Sequence, residues 1–439
     1  MPVIFIHGVN TRYNDDYRKN CAARDELLKR LVLEPLAAKE ERFKQIEIEN
    51  PYWGEFGVSF SWDQASLPEV HVLEDLGAED GRTPESDLEF TETVRNLAGP
   101  HQPRLPGLEN LGTDERQFKR AAEKDLTRFV EAVLSPLLLS EMRLAEDGGV
   151  KPETEGVLQA LLAMAAGDVA SDPYIKAELA AANSDDEVMD LLKDRIKARF
   201  EQLAQSQLAV PKEVTPADRQ LEELGPGWLE DLKDRVGELF DRAKDAPARV
   251  AGASALDLFR DGLHRNVSLF LGDVFVYLNE RSDKANPGPI ISTVLEAIKT
   301  APQHHPDEPL IIITHSMGGN ILYDILTYYD TGLKVDVWVS VASQAGQFEE
   351  MKIFKASNKN VYKPNKVTGL KPSLGYWLNV YDPLDSFGFK VAPIFADVDA
   401  DVEYLTGAGA LKAHGEYFGR ASFYQMVREH IEQALIKSS

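Results

Sequence analysis

Apolar and polar residues follow two different periods along the chain, and the change of period divides it into three stretches. The first opens on Val3-Ile4-Phe5-Ile6, a short unbroken apolar run of the kind a parallel strand buried on both faces requires. It gives way to His7-Gly8-Val9-Asn10, a turn composition, after which Leu27, Leu28, Leu31 and Leu33 predict a helix. A second strand is expected at Ile46–Ile48, leading into Asn50-Pro51-Tyr52-Trp53-Gly54. Strand, loop, helix and strand in that order mark the start of a parallel sheet.

From about Leu67 to about Ala255 no strand series is visible, and apolar residues fall at helical spacing. Phe118–Leu139 carries a mixed three- and four-residue pattern with Pro136 late in the run. Val188, Leu191, Leu192, Ile196 and Phe200 form a cleaner stripe, as do Leu229, Leu232, Val236, Leu239 and Phe240. Pro103, Pro106 and Gly107, then Gly148, Gly149 and Pro152, mark breaks between helices. The stripes read as core-facing and the charged faces as solvated.

The alternating pattern then returns. Leu271–Tyr277 is expected on a helix or an irregular connection, and Ile290–Ile298 on a helix after Pro289. Leu310–Ile313 and Val335–Val341 read as strands, with a helix over Asn320–Tyr328 between them. Trp377–Tyr381 and Val402–Leu405 read as the last two strands, and Met426–Ile436 as the closing helix. The prediction is an α/β fold: a doubly wound, mostly parallel sheet of about six strands with a large helical insertion forming a cap or lid. Residues 1–66 and 256–439 would form the two parts of the core, and 67–255 the insertion.

Composition narrows the function classes. The 439 residues are 43% hydrophobic and 27% charged, an ordinary globular balance. A formal charge of -24 argues against nucleic acid or an anionic membrane as partner, while leaving a neutral lipid or small ester open. The single cysteine, Cys21, rules out an intramolecular disulfide and a cysteine-based metal site. No apolar run approaches the roughly 20 residues of a transmembrane helix, and Met1 leads into the first strand without a basic leader. The expectation is a soluble, cytoplasmic protein with no transmembrane segment.

The strongest chemical signal is Thr314-His315-Ser316-Met317-Gly318-Gly319, between an apolar strand and an amphipathic helix. A serine hydroxyl is a weak nucleophile until a base reaches it. A tight strand-to-helix turn exposes it, and that turn needs small residues two before and two after the serine. Gly318 meets the second requirement; Thr314 stands where glycine is usual. The helix beginning at Ser316 would also direct its positive end toward a developing oxyanion. At the end of the first strand, Gly8 would let the Val9 N–H approach a substrate oxygen, forming a two-donor oxyanion hole with the Met317 N–H. His7 would shape that loop rather than carry protons.

Of nine histidines, His414 follows the last predicted strand and a Gly407-Ala408-Gly409 loop, which brings it to the same sheet edge as Ser316. His315 is expected to direct its side chain away. After the penultimate strand, Asp382-Pro383-Leu384-Asp385 offers two acids to orient the imidazole. Asp385, beyond the proline turn, is the preferred one, with Asp382 as alternate or turn cap. No phosphate loop or H-E-x-x-H metal motif is present, and Thr406–Ala410 lacks the third glycine of a dinucleotide turn. No cofactor and no metal are expected; His304, His305 and Asp307 could ligate one but read as a solvated loop.

With its H-S-M-G-G elbow, the chain resembles the α/β-hydrolase superfamily of serine hydrolases, especially its lipases and esterases. The resemblance covers about the first sixty residues and the part from about Val267 onward. It implies Ser316 as nucleophile, His414 as base, Asp385 as acid and backbone donors at Val9 and Met317. The first strand would correspond to the superfamily's third, which reduces the sheet to about six strands. The implied activity is cleavage of a carboxylic ester, of a lipid or other acyl substrate, through an acyl-enzyme. Thioesterase or acyltransferase chemistry would use the same residues. A different class stays open: a regulated effector or partner-binding protein in which the helical insertion carries the main role.

Overall fold

The described residues form six strands, four of them mostly apolar and rich in β-branched residues, and all pair in parallel. They are β1 (Pro2–Ile6), β2 (Glu47–Glu49), β3 (Ile311–His315), β4 (Val335–Val341), β5 (Leu374–Tyr381) and β6 (Ala400–Glu403), in the order β2-β1-β3-β4-β5-β6. The computed structural model describes the chain except residues 41–42, 44, 63, 66–83, 99–115, 139–149, 209–220, 222–223, 225–226, 251–259, 305–306, 407–412 and 437–439.

A mostly parallel sheet of about six strands was expected; the described strands form one sheet of six, parallel throughout. β2 begins one residue later than its apolar run suggested, because pairing with β1 sets Ile4 opposite Glu49. β6 begins at Ala400 rather than Val402, because Asn379 on β5 takes Asp401 as its register partner.

The helices are α1 (Asp15–Leu28), α2 (Glu34–Lys39), α3 (Pro84–Ala98), α4 (Gln117–Lys124), α5 (Leu126–Leu138), α6 (Pro152–Ser171), α7 (Pro173–Ala181), α8 (Asp185–Leu208), α9 (Trp228–Val250), α10 (Arg260–Glu280), α11 (Pro289–His304), α12 (Met317–Asp324), α13 (Ala345–Glu350) and α14 (Ala421–Leu435). The run from Phe118 is two helices, interrupted at Asp125, and Pro136 is accommodated inside α5. The residues from Leu271 to Tyr277 lie on α10. The helix after Ser316 begins at Met317, three residues earlier than its pattern suggested, and relaxes into a wider π-type turn over Ile325–Tyr329.

Strand residues alternate between two apolar cores. Phe5, Ile313, Val339 and Val380 face one, shared with α1, α5, α6, α8, α9 and α14. Ile4, Ile312, Trp338 and Trp377 face the other, shared with α10, α11, α12 and α13. Among the described residues between 84 and 250 there is no strand, and these helices bury their apolar stripes in the same core as β1 and β3. The boundaries expected at 66 and 255 lie outside the described residues.

That helical segment meets the sheet side in close contact where α6 crosses α1 at Gly156. A Cβ there would collide with Lys19 O and lie 2.7 Å from Ala23 N. Gly156→Ala must push the two helices apart, and overpacking of this kind costs about 1–3 kcal/mol. Urea unfolding should show the whole transition displaced to lower denaturant as one cooperative step. A separate early transition confined to the helical segment would contradict a shared core.

Candidate functional site

The register of the sheet sets where the chain leaves it. Ile6 pairs with Thr314, His315 with Val341, and Val341 with Val380. His7, Ser316, Ala342 and Asp382 therefore emerge along one carboxyl edge, the edge at which parallel sheets present their ligand sites.

Ser316 occupies a turn that L residues rarely adopt, with φ 52° and ψ −125°. Two glycines make room for it. A Cβ on Gly8 would lie 2.6 Å from Ser316 Cβ, and one on Gly318 would strike Ile6 O. The Ser316 N–H donates to Val341 O at 2.9 Å, which ties the turn to β4. Thr314 fits where glycine was expected because its hydroxyl has a buried partner: Trp338 Nε1 donates to Thr314 Oγ1 at 2.9 Å. Val9 and Met317 follow Gly8 and Ser316, the two residues in contact.

His414 and Asp385 meet. His414 Nδ1 is 2.9 Å from Asp385 Oδ2 and 3.0 Å from Oδ1, so a proton on Nδ1 would be held there and Nε2 left as acceptor. Tyr417 OH donates to the same carboxylate at 3.3 Å. Burial first, then the charges of Asp385 and Asp382, raise the Tyr417 hydroxyl's pKa and keep it a donor. Asp382 is otherwise engaged: Oδ2 accepts from the N–H and hydroxyl of Thr406, both at 2.7 Å, and Oδ1 from Leu384 N at 2.8 Å. It closes the turn, which leaves Asp385 to the imidazole. The Gly407–Gly409 loop lies outside the described residues.

The imidazole and the hydroxyl share an edge without a hydrogen bond between them. His414 Nε2 is buried and has no hydrogen-bond partner among the described residues. Ser316, 1% exposed, accepts from Gln344 Nε2 at 3.3 Å. The same Gln344 nitrogen donates to Ala342 O at 2.9 Å and Phe387 O at 2.7 Å, joining the serine turn to the Asp385 loop.

No family, no characterised protein and no solved structure matches this chain. What the site does must be read from its own geometry.

The sequence reading did not single out Gln344, which stands three residues past β4 with nothing in its composition to mark it. Asp273 was also missed. This buried carboxylate on α10 accepts from Asn10 N at 2.8 Å and Val58 N at 2.7 Å, and from Arg12 Nη2 at 2.7 Å, fixing the loop after β1. His315, expected to turn away, instead packs its ring 4.9 Å from that of His414 and bonds His414 O through Nε2 at 2.7 Å. A cavity of about 600 Å³ opens beside these residues, with His7 and His315 in its wall. Among the described residues, no group of three or more His, Cys, Asp or Glu could hold a metal ion, and His305 lies outside them.

Two of the three histidines here are held neutral. Burial lowers the His7 pKa to about 4, opposed by its bond to Gly8 O at 2.8 Å. Its Nε2 accepts from Trp53 N at 3.1 Å and its ring stacks on Trp53 at 4.7 Å, so it braces the loop as expected. Burial, then the neighbouring His414, lowers His315 to about 3.

A histidine with a depressed native pKa stays neutral when folded, while the unfolded chain binds a proton below about pH 6.5. Its stabilising contribution is complete above that value and is lost as pH falls toward 4. For His7 the loss between pH 7 and 5 is about 2 kcal/mol. Urea titrations at both pH values should give a smaller drop in unfolding free energy for His7→Gln than for the unaltered protein. An equal drop would show that the His7 pKa is not lowered in the native state.

Proposed function

We propose that the protein is a serine hydrolase of the α/β-hydrolase type, cleaving a carboxylic ester through an acyl-enzyme. The observation that carries this reading is the His414–Asp385 pair beside a strained, glycine-flanked Ser316 on one sheet edge. In this reading the sheet is the doubly wound core of that superfamily, and the helical segment 67–255 is its cap.

Ser316 Oγ leaves Gln344, turns to His414 Nε2 and attacks the ester carbonyl as the imidazole takes its proton. Asp385 holds the ring through Nδ1 and stabilises the imidazolium. The Val9 and Met317 N–H groups receive the oxyanion, aided by the positive end of α12. His414 then returns the proton to the leaving alcohol, and water releases the acyl group by the same steps in reverse. A thioester substrate or another acyl acceptor would use identical groups. No described helix is long and apolar enough to cross a membrane.

The near-complete burial of Ser316 and the unengaged His414 Nε2 favour a second reading, a regulated effector whose helical segment or partner controls access. The two readings differ in what a fluorophosphonate probe does. Hydrolase chemistry requires labelling at Ser316 in the isolated protein, while a controlled effector would label only after a partner or an altered helical segment opens the site.

Ser316→Ala and His414→Ala should each lower turnover of p-nitrophenyl esters by at least about 10⁴-fold. Ester cleavage that survives Ser316→Ala would remove the mechanism. A series of acyl chain lengths should show an optimum that separates a lipase from a short-ester enzyme.

A further inference from the structure

We infer that the cavity beside the nucleophile is an anion-recognising subsite, in which Arg24 binds a carboxylate or phosphate carried by the ester substrate. The inference rests on the hydrolase reading and specifies its substrate class.

Arg24 lies on α1 and is only 7% exposed, yet it lines the cavity of about 600 Å³ whose wall includes His7 and His315. Those two residues are the chain neighbours of Gly8 and Ser316, so the cavity adjoins the serine turn. The guanidinium is fixed in place. Its carbon sits 3.6 Å from the centroid of the Phe5 ring. Nε and Nη2 donate to Asp25 Oδ1 at 2.9 and 2.6 Å, and Nη2 also to Asn50 Oδ1 at 2.6 Å. Asn50 Nδ2 in turn donates to Asp25 Oδ2 at 2.7 Å. Nη1 makes no hydrogen bond to the described residues and is not among the buried nitrogens sealed from solvent.

A preset guanidinium with one nitrogen unused is a receptor for a planar or tetrahedral oxyanion. Of the other charged groups in the wall, Asp16 is exposed to solvent and the remaining two are engaged. Arg12 is held by Asp273 at 2.7 Å, and Glu416 is bonded by Arg420. His7 and His315 are neutral. The net charge of -24 offers an anion no general attraction, so recognition must be local. Surface charge is screened over roughly 8 Å at physiological salt, whereas a buried guanidinium is screened far less.

Two matched ester pairs test this and separate the sources of the anion. p-Nitrophenyl pentanoate against mono-p-nitrophenyl glutarate places the charge on the acyl side. o-Nitrophenyl acetate against 3-acetoxy-4-nitrobenzoate places it on the alcohol side. One anionic member should show a KM lower by about tenfold or more than its neutral partner, as a charge-assisted hydrogen bond supplies. In Arg24→Gln that ratio should move to near one; being internal to each variant, it is insensitive to the fraction that folds.

Equal KM values in both pairs, on protein that fluorophosphonate labels, would overturn the subsite and leave the hydrolase reading intact. A preference that persists in Arg24→Gln would also overturn it. Failure to label would overturn the hydrolase reading. Calorimetric binding of the same esters to Ser316→Ala protein decides the subsite without turnover: tighter binding of an anionic member supports it, and equal binding refutes it.

Discussion

The backbone at Ser316 is the constraint around which the rest of the molecule is arranged. A non-glycine residue at φ 52° and ψ −125° costs on the order of 1–3 kcal/mol and persists only when its surroundings hold it. Here the surroundings are two strands and a helix. β1 comes so close that only glycine fits at positions 8 and 318, and β4 accepts the Ser316 N–H. Met317, Ile321 and Leu322 then bury themselves in the second apolar core, and that burial offsets the strain. Any loosening of β1 against β3 would release the turn.

One rung below the turn, a row of polar residues, buried on three strands and half-buried on the fourth, crosses the sheet. Thr314, Ser340, Asn379 and Asp401 are successive register partners on β3, β4, β5 and β6. Trp377 Nε1 donates to Ser340 Oγ at 2.9 Å, Ser340 Oγ to Asn379 Oδ1 at 2.7 Å, and Asn379 Nδ2 to Asp401 Oδ1 at 2.8 Å. Trp338 completes the row through Thr314 and stacks on Trp377 at 4.3 Å. Asp401 Oδ2 also accepts from Ala392 N at 2.8 Å, and Asn379 Nδ2 donates to Phe389 O at 3.0 Å. The row thus pins the loop that follows Asp385. Left unpaired in a buried sheet, each of these groups would cost about 1–3 kcal/mol, so the connected row specifies register as well as stability.

This explains what was legible in the sequence and what was not. β1, β3, β4 and β5 are mostly apolar, because strands covered on both faces have little polar side, and their centres stand out at once, although β5 begins three residues before Trp377. β2 and β6 lie at the sheet edges, are short and carry charge, so their bounds moved by one or two residues. Ser316, Asp385 and His414 were legible as residue types after strands, and the fold brings His414 to Asp385. Thr314 looked like a defect because its partner, Trp338, is twenty-four positions away in the chain. Gln344, Asp273 and Arg24 were illegible for the same reason. Each is an ordinary polar residue in its own segment, and only distant contacts give it a task. His315 was misread because strand alternation says which face a side chain takes, not which loop returns to meet it.

The resting arrangement of the serine bears on how the site would be set in motion. Gln344 Nε2 has two hydrogens and three acceptors within reach, and Ser316 Oγ, at 3.3 Å, is the farthest of them. Releasing the hydroxyl therefore leaves both amide hydrogens on the carbonyls of Ala342 and Phe387, with little lost. Across the site, His414 Nε2 is buried without a partner among the described residues, a state that costs about 1–3 kcal/mol. A hydroxyl that turned from the amide to the imidazole would recover that cost while giving up the weakest of three bonds. The exchange is thus favoured on the imidazole side and nearly neutral on the amide side. In the proposed hydrolase reading, a substrate entering the site would displace the packing that shuts Ser316 from solvent and bring hydroxyl and imidazole together.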